Sequence, residues 1–159
     1  DICFVPDGDY AGFIKNYTGR TFEPGDFCDR EGNVLGKHKG MIHYTIGQRK
    51  GLGLALPEPM YVIELDKEHN RVVLSANEGL FQKTLIADRV NLLACDKIDD
   101  GTKLLAKARY SMKEQPARVY NLDNGKVLVE FEQPQRAITP GQSVVFYDGE
   151  IVVGGGQII

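Results

Sequence analysis

The 159 residues carry 19 Lys and Arg against 22 Asp and Glu, a formal net charge of -3, with 42% hydrophobic and 26% charged residues. That composition is ordinary for a globular chain and too apolar for disorder; no apolar run reaches membrane-spanning length and no charged-then-apolar leader is present. A net negative charge excludes a protein that binds nucleic acid over its whole surface, and leaves only local cationic fields to consider.

At this size a folded chain buries roughly 68–70% of its unfolded surface, enough for one domain or two small ones. The three cysteines, Cys3, Cys28 and Cys95, cannot pair completely and fit no zinc spacing, so a reducing compartment is the expected setting and no metal is. The first residue is Asp1 rather than Met, as expected of an excised fragment.

In chain order, Asp1 to Pro6 reads as an extended segment closed by a proline. Asp7 or Asp9 caps a helix whose apolar stripe is Tyr10, Phe13, Ile14 and Tyr17, at the i, i+3, i+4, i+7 spacing, and which ends at Gly19. Residues 24–29 and 33–38 read as two strands around the turn Arg30-Glu31-Gly32, and residues 61–65 and 71–75 as a second strand pair around a polar connection. This closes a first module near Glu78. Strands are then expected over 85–93, 103–110, 117–121, 126–131, 143–147 and 150–153, with Asn124-Gly125 and Asp148-Gly149 as the clearest hairpin turns. Many short strands, glycine turns and a single helical stripe predict a mainly β chain. The expected architecture is a small central β module with one short helix (1–78), followed by an antiparallel β-barrel (79–159), because closure removes exposed strand edges.

Between the two strand pairs lies GKHKGMIHYTIGQRKGLG, Gly36 to Gly53. No Asp or Glu occurs from Gly32 to Pro57, while Lys37, Lys39, Arg49 and Lys50 stand beside His38 and His43. Five glycines let the backbone turn and approach a partner closely, so this cationic loop suits a polyanion; the plain alternative is a solvated hairpin whose glycines serve its turns. A second acid-free tract, Thr102 to Lys113, contains Lys103, Lys107, Arg109, Tyr110 and Lys113. Gly47 to Gly53 lacks the GK[ST] ending of a phosphate loop and the GxGxxG pattern, so it is not an ATP site. His38 and His43 lack a third ligand cluster and read as hydrogen-bonding or RNA-facing side chains.

The segments Ile2-Cys3-Phe4, HKGMIHYTIGQRKGLG, Ala108-Arg109-Tyr110 and Thr139-Pro140-Gly141-Gln142-Ser143 resemble the C-terminal half of the bacterial tRNA-specific 2-thiouridylase family, MnmA or TrmU, from Asp1 to Ile159. The resemblance implies a cytoplasmic tRNA-uridine 2-sulfurtransferase whose partners are tRNA and an upstream sulfur-relay donor, with neither membrane nor DNA involved. It places a catalytic persulfide on Cys3, and tRNA contacts on Arg109, Tyr110 and Gln142, with the basic loop residues Lys37, Lys39, Arg49 and Lys50 added from their charge. ATP with Mg would act in the family's N-terminal domain, which has no counterpart here. No cofactor is therefore expected on this chain, and alone it is expected to be inactive. Cys28 and Cys95 match no family motif and read as structural.

One geometric condition attaches to Arg109 and Tyr110. Neighbours on a regular strand point to opposite faces, so both reach one RNA only at a strand end or a bulge. Two other readings compete: a non-catalytic RNA-binding β-barrel and a protein-interaction domain. Trapping of Cys3 by a thiol reagent separates the first reading from both.

Overall fold

Asp9 begins the helix of the computed structural model, which describes Val5 and residues 8–159. Its carboxylate accepts the Gly12 backbone N–H at 2.9 Å and so satisfies one of the free donors of the first turn of α1 (Tyr10–Thr18). Gly19, at φ 65°, ends the helix in a left-handed turn with its N–H on the Lys15 carbonyl. The expected stripe is present, with Phe13 and Tyr17 stacked at 5.9 Å, but its four residues are exposed and Ala11 is the buried one. Periodicity defines a face without defining what covers it.

The first of two compact units ends at Gly79. Its sheet contains β1 (Gly25–Cys28), β2 (Val34–His38), β3 (Tyr61–Asp66) and β4 (Arg71–Ser75), in the order β2-β1-β4-β3. Both sequential pairs are antiparallel hairpins, and a parallel pairing of β1 with β4 joins them. The first turn is closed by Asp29, whose carboxylate accepts the backbone N–H groups of Glu31 and Asn33 and the Asn33 side-chain amide. Those bonds, the Asn33 amide first, hold the Asp29 carboxyl below its ordinary pKa. Phe27, Val62, Val72 and Leu74 form the core, and Tyr44 and Leu52 enter it from the glycine-rich loop, so that loop is anchored from beneath.

The second unit, Leu80–Ile159, is a closed barrel of β5 (Phe81–Leu92), β6 (Thr102–Lys107), β7 (Gln115–Asn121), β8 (Val127–Arg136), β9 (Ser143–Asp148) and β10 (Ile151–Ile158). The strand order is β10-β5-β8-β7-β6-β9, every pairing antiparallel. Period-two alternation turns Val127, Val129 and Phe131 of β8 inward to meet Val119, Val144 and Phe146 in one cluster. The chain is therefore mainly β, with one α-helix among the described residues, a mixed sheet and a closed antiparallel barrel.

Two strands run five residues past their expected ends. β8 continues past Phe131 because its ladder with β5 shifts register, from Thr84↔Glu130 to Gln82↔Gln135, and the bulged segment accommodates Pro134, which has no N–H to donate. β10 continues through Gly154-Gly155-Gly156, residues of poor strand propensity that pair with β5 and β9.

Candidate functional site

On the barrel, Ala106 and Ala108 are 1% and 0% exposed, so alternation turns Lys107, the last residue of β6, outward, and Arg109 follows just past the strand end. β6 stops at Lys107, and the following turn is closed by the Met112 N–H on the Arg109 carbonyl at 3.1 Å. The strand-end condition on Arg109 and Tyr110 is thus met. Tyr110 is 98% exposed, and Lys107 Nζ stands 5.7 Å from its ring centroid.

Gln142 comes to the same place from the turn before β9. Its N–H donates to the Thr139 carbonyl and its carbonyl accepts the Ile158 N–H at 2.8 Å. Its side-chain Oε1 is buried without a hydrogen-bond partner among the described residues. A buried acceptor left unmet costs about 1–3 kcal/mol, which a donor from a ligand would recover.

Lys107, Arg109, Tyr110, Gln142, Ser143 and Tyr147 line one cavity of about 760 Å³, whose lining includes no carboxylate. Sequence reasoning reached Lys107 only as one cation of the Thr102 to Lys113 tract and did not reach Tyr147. Lys107 is the last residue of β6, two before Arg109; Tyr147 depends on the β6–β9 register, Leu105↔Tyr147, which no local pattern reveals.

In the first unit the basic loop is firmly built. Gly47 N–H donates to the Val62 carbonyl at 2.7 Å and Val62 N–H to the Gln48 carbonyl at 2.9 Å, which laces the loop onto β3. The Gln48 side chain spans the turn, its Oε1 accepting the Thr45 N–H and its Nε2 donating to the Lys50 carbonyl, each at 3.0 Å. Arg49 and Lys50 are presented exposed at its tip, and Lys39 is exposed as well. Lys37 differs from them. It pairs with Asp26 at 2.6 Å across the β1–β2 ladder, so a tract without acids in sequence acquires one in space. At 76% exposure for the lysine such a pair contributes about 0–1 kcal/mol.

His38 is a core residue and not an RNA-facing one. It is 2% exposed, packed edge-on to Phe27 and Tyr44 with ring centroids 5.7 Å away in each case. Gly40 N–H donates to its Nδ1 at 3.0 Å, which leaves Nε2 to carry the proton and donate to the Asn70 carbonyl at 3.1 Å. His43 is half-buried; desolvation first, then Lys39 and Lys15, hold its pKa below the ordinary value, with Asp9 opposing. Burial and the two lysines thus disfavour its charged form, so it adds less positive charge to the loop than an ordinary histidine.

Cys28 lies in β1 at 1% exposure, consistent with a packing role, whereas Cys95 is exposed and packs nothing into the core. Cys3 lies outside the described residues. Among the described residues no three His, Cys, Asp or Glu side chains gather as metal ligands, and no helix is long and apolar enough to cross a membrane.

Two family descriptions match consecutive parts of the chain: residues 11–76 the tRNA methyl transferase PRC-barrel domain, and residues 82–158 the aminomethyltransferase beta-barrel domain. The chain is 51% identical over 159 residues to the tRNA-specific 2-thiouridylase MnmA of Lachnoclostridium phytofermentans, covering 100% of this chain and 44% of that protein. It is 55% identical over 158 residues to the MnmA of Acetivibrio thermocellus, with 99% and 44% covered, and 49% identical over 158 residues to that of Clostridioides difficile, again with 99% and 44% covered. The chain thus spans less than half the length of these relatives.

Proposed function

We propose that this chain, which belongs to the tRNA-specific 2-thiouridylase MnmA family and matches the C-terminal part of its members, contributes tRNA docking and the sulfur-carrying cysteine to a cytoplasmic enzyme that places sulfur on C2 of a wobble uridine. The observation that carries the docking role is the barrel cavity, where Lys107, Arg109, Tyr110 and the unmet Gln142 acceptor converge without a carboxylate. The cations suit phosphates, the exposed ring offers a platform on which an unpaired base stacks, and Gln142 Oε1 accepts an N–H from RNA.

The sulfur role of Cys3 rests on family membership and on the Ile2-Cys3-Phe4 segment. In this reading an upstream relay protein loads Cys3 with a persulfide, and its outer sulfur attacks C2 of the uridine after ATP has converted the C2 oxygen into a leaving group, which departs with AMP. A thiolate from a second cysteine, on the N-terminal domain, then attacks the Cys3 sulfur. The S–S bond breaks towards the C2-bound sulfur, a disulfide forms between the two cysteines, and a thiol reductant resets them. ATP and Mg act on that other domain, so this chain alone is inactive.

The docking role is tested by salt titration of tRNA affinity in the full-length protein. Arg109→Ala should weaken binding and flatten the log–log salt dependence by about one unit, as loss of one phosphate contact does. Gln142→Ala should weaken binding at an unchanged slope, and Tyr110→Ala should cost about 1–3 kcal/mol, the usual worth of one stacked base. Wild-type affinity and slope in all three variants would refute the docking role.

A further inference from the structure

A second hollow, of about 490 Å³, adjoins the first on the outside of the barrel and shares Ser143 and Val145 with it. It crosses β9 and β10 to reach β5, where Arg89 and Asn91, with Leu93 just past the strand end, form its far wall. Its floor is Gly154-Gly155-Gly156. The strands approach so closely there that a Cβ on Gly155 would lie 2.5 Å from the Val144 carbonyl oxygen and one on Gly156 2.7 Å from that of Asp88. Packing thus requires the glycines, and its by-product is a strip of bare backbone on which a planar group can lie.

Arg89 is the ionisable residue of this lining. Opposite the single residue Gly156, β5 places two, Arg89 and Val90, between the pairs Asn91↔Gly155 and Asp88↔Gln157. In that bulge Arg89 takes φ 48°, a left-handed conformation costing a non-glycine residue about 1–2 kcal/mol. It is exposed, and it is in none of the ion pairs found among the described residues. The two adjoining hollows thus contain three cations, Lys107, Arg109 and Arg89, and no carboxylate, on a protein of net charge -3.

We infer that the tRNA track does not end at the Arg109–Tyr110 cavity but continues over β9 onto the glycine strip of β10, where Arg89 takes a backbone phosphate and the next nucleotide lies on the strip beside Asn91. This rests on the docking role proposed for the first cavity. From β6 to β5 the track crosses three strand spacings, about 14 Å, so it holds a short run of RNA and not a single nucleotide.

The experiment is a salt titration of an unmodified tRNA transcript against the full-length protein. Arg89→Asn removes the charge with a residue that tolerates the left-handed conformation, and should weaken binding and flatten the slope by about one unit. Arg89→Lys should retain the slope. Leu93→Glu, at a position 68% exposed and so harmless to the fold, should weaken binding by placing a carboxylate on the track. If Arg89→Asn and Leu93→Glu both bind as wild type while Arg109→Ala does not, the track ends at the first cavity and this inference is overturned. If Arg109→Ala also binds as wild type, the docking role falls with it.

Discussion

Gly25 faces His38 across the β1–β2 ladder at a separation that admits no side chain: a Cβ on Gly25 would lie 2.6 Å from His38 Nε2 and would collide with the Asn70 carbonyl that this nitrogen holds. The glycine, the ring and the carbonyl form one interlocked arrangement beneath the basic loop. Gly25→Ala should therefore destabilise by about 1–3 kcal/mol, the usual cost of overpacking. His38→Ala, which strips the Gly40 N–H and the Asn70 carbonyl of their buried partner, should cost about 2–4 kcal/mol. Denaturant midpoints at constant m-value measure both, and a shift under 0.5 kcal/mol for either would contradict the arrangement.

The basic loop should not act as four equivalent charges. Arg49→Ala and Lys50→Ala, at its exposed tip, should each flatten the salt dependence of tRNA affinity by about one unit. Lys37→Ala should change the slope by less than half a unit, because Lys37 already holds Asp26. Equal slopes for wild type and an Arg49→Ala/Lys50→Ala double variant would mark the tip as a solvated turn.

The His43 environment carries a pH signature. Its folded pKa lies below the ordinary value, so as pH falls the unfolded chain takes up the proton first, near 6.5, and stability declines until the folded group protonates too. His43→Gln should flatten the stability profile between pH 7 and that lower point. A profile equally steep in wild type and variant would place the titration elsewhere.

The cysteines should separate into three behaviours. Cys3→Ala should abolish 2-thiouridine formation by the full-length enzyme. Cys28→Ser puts a hydroxyl at a buried position of β1, 1% exposed, and should cost about 1–3 kcal/mol of stability, with turnover per folded molecule retained. Cys95→Ser, at an exposed position, should change neither. Thiolation assays normalised to folded protein, paired with thermal melts, distinguish them.

Local signals made much of this fold legible. Asp9 and Gly19 cap the helix where capping chemistry predicts, and Asn124-Gly125, with φ of 60° and 70°, supports the turn that dipeptide favours. What stayed hidden was set by residues far apart in the chain. The parallel β1–β4 pairing, the bulged passage of β8 through Pro134 and the strand formed by three glycines all depend on partners that no local window contains. The site divides in the same way. Arg109, Tyr110 and Gln142 were named through a family resemblance, whereas Tyr147, Arg89 and the Asp26 partner of Lys37 follow from strand register alone. Of the two roles read for His38, hydrogen bonding holds and facing RNA does not, because charge pattern says nothing about burial.

The closing role of β10 also bears on biosynthesis. This strand follows the other five in the chain and joins β5 to β9. Before it leaves the ribosome, both neighbours are open ladders with unpaired N–H and C=O groups, among them the 12-residue β5. Since all six strands must be present before the interior is sealed, the barrel cannot complete folding during translation of its earlier strands, and the nascent chain passes through an interval in which its edges can pair with those of another. A stop codon within the triple glycine would leave that interval permanent.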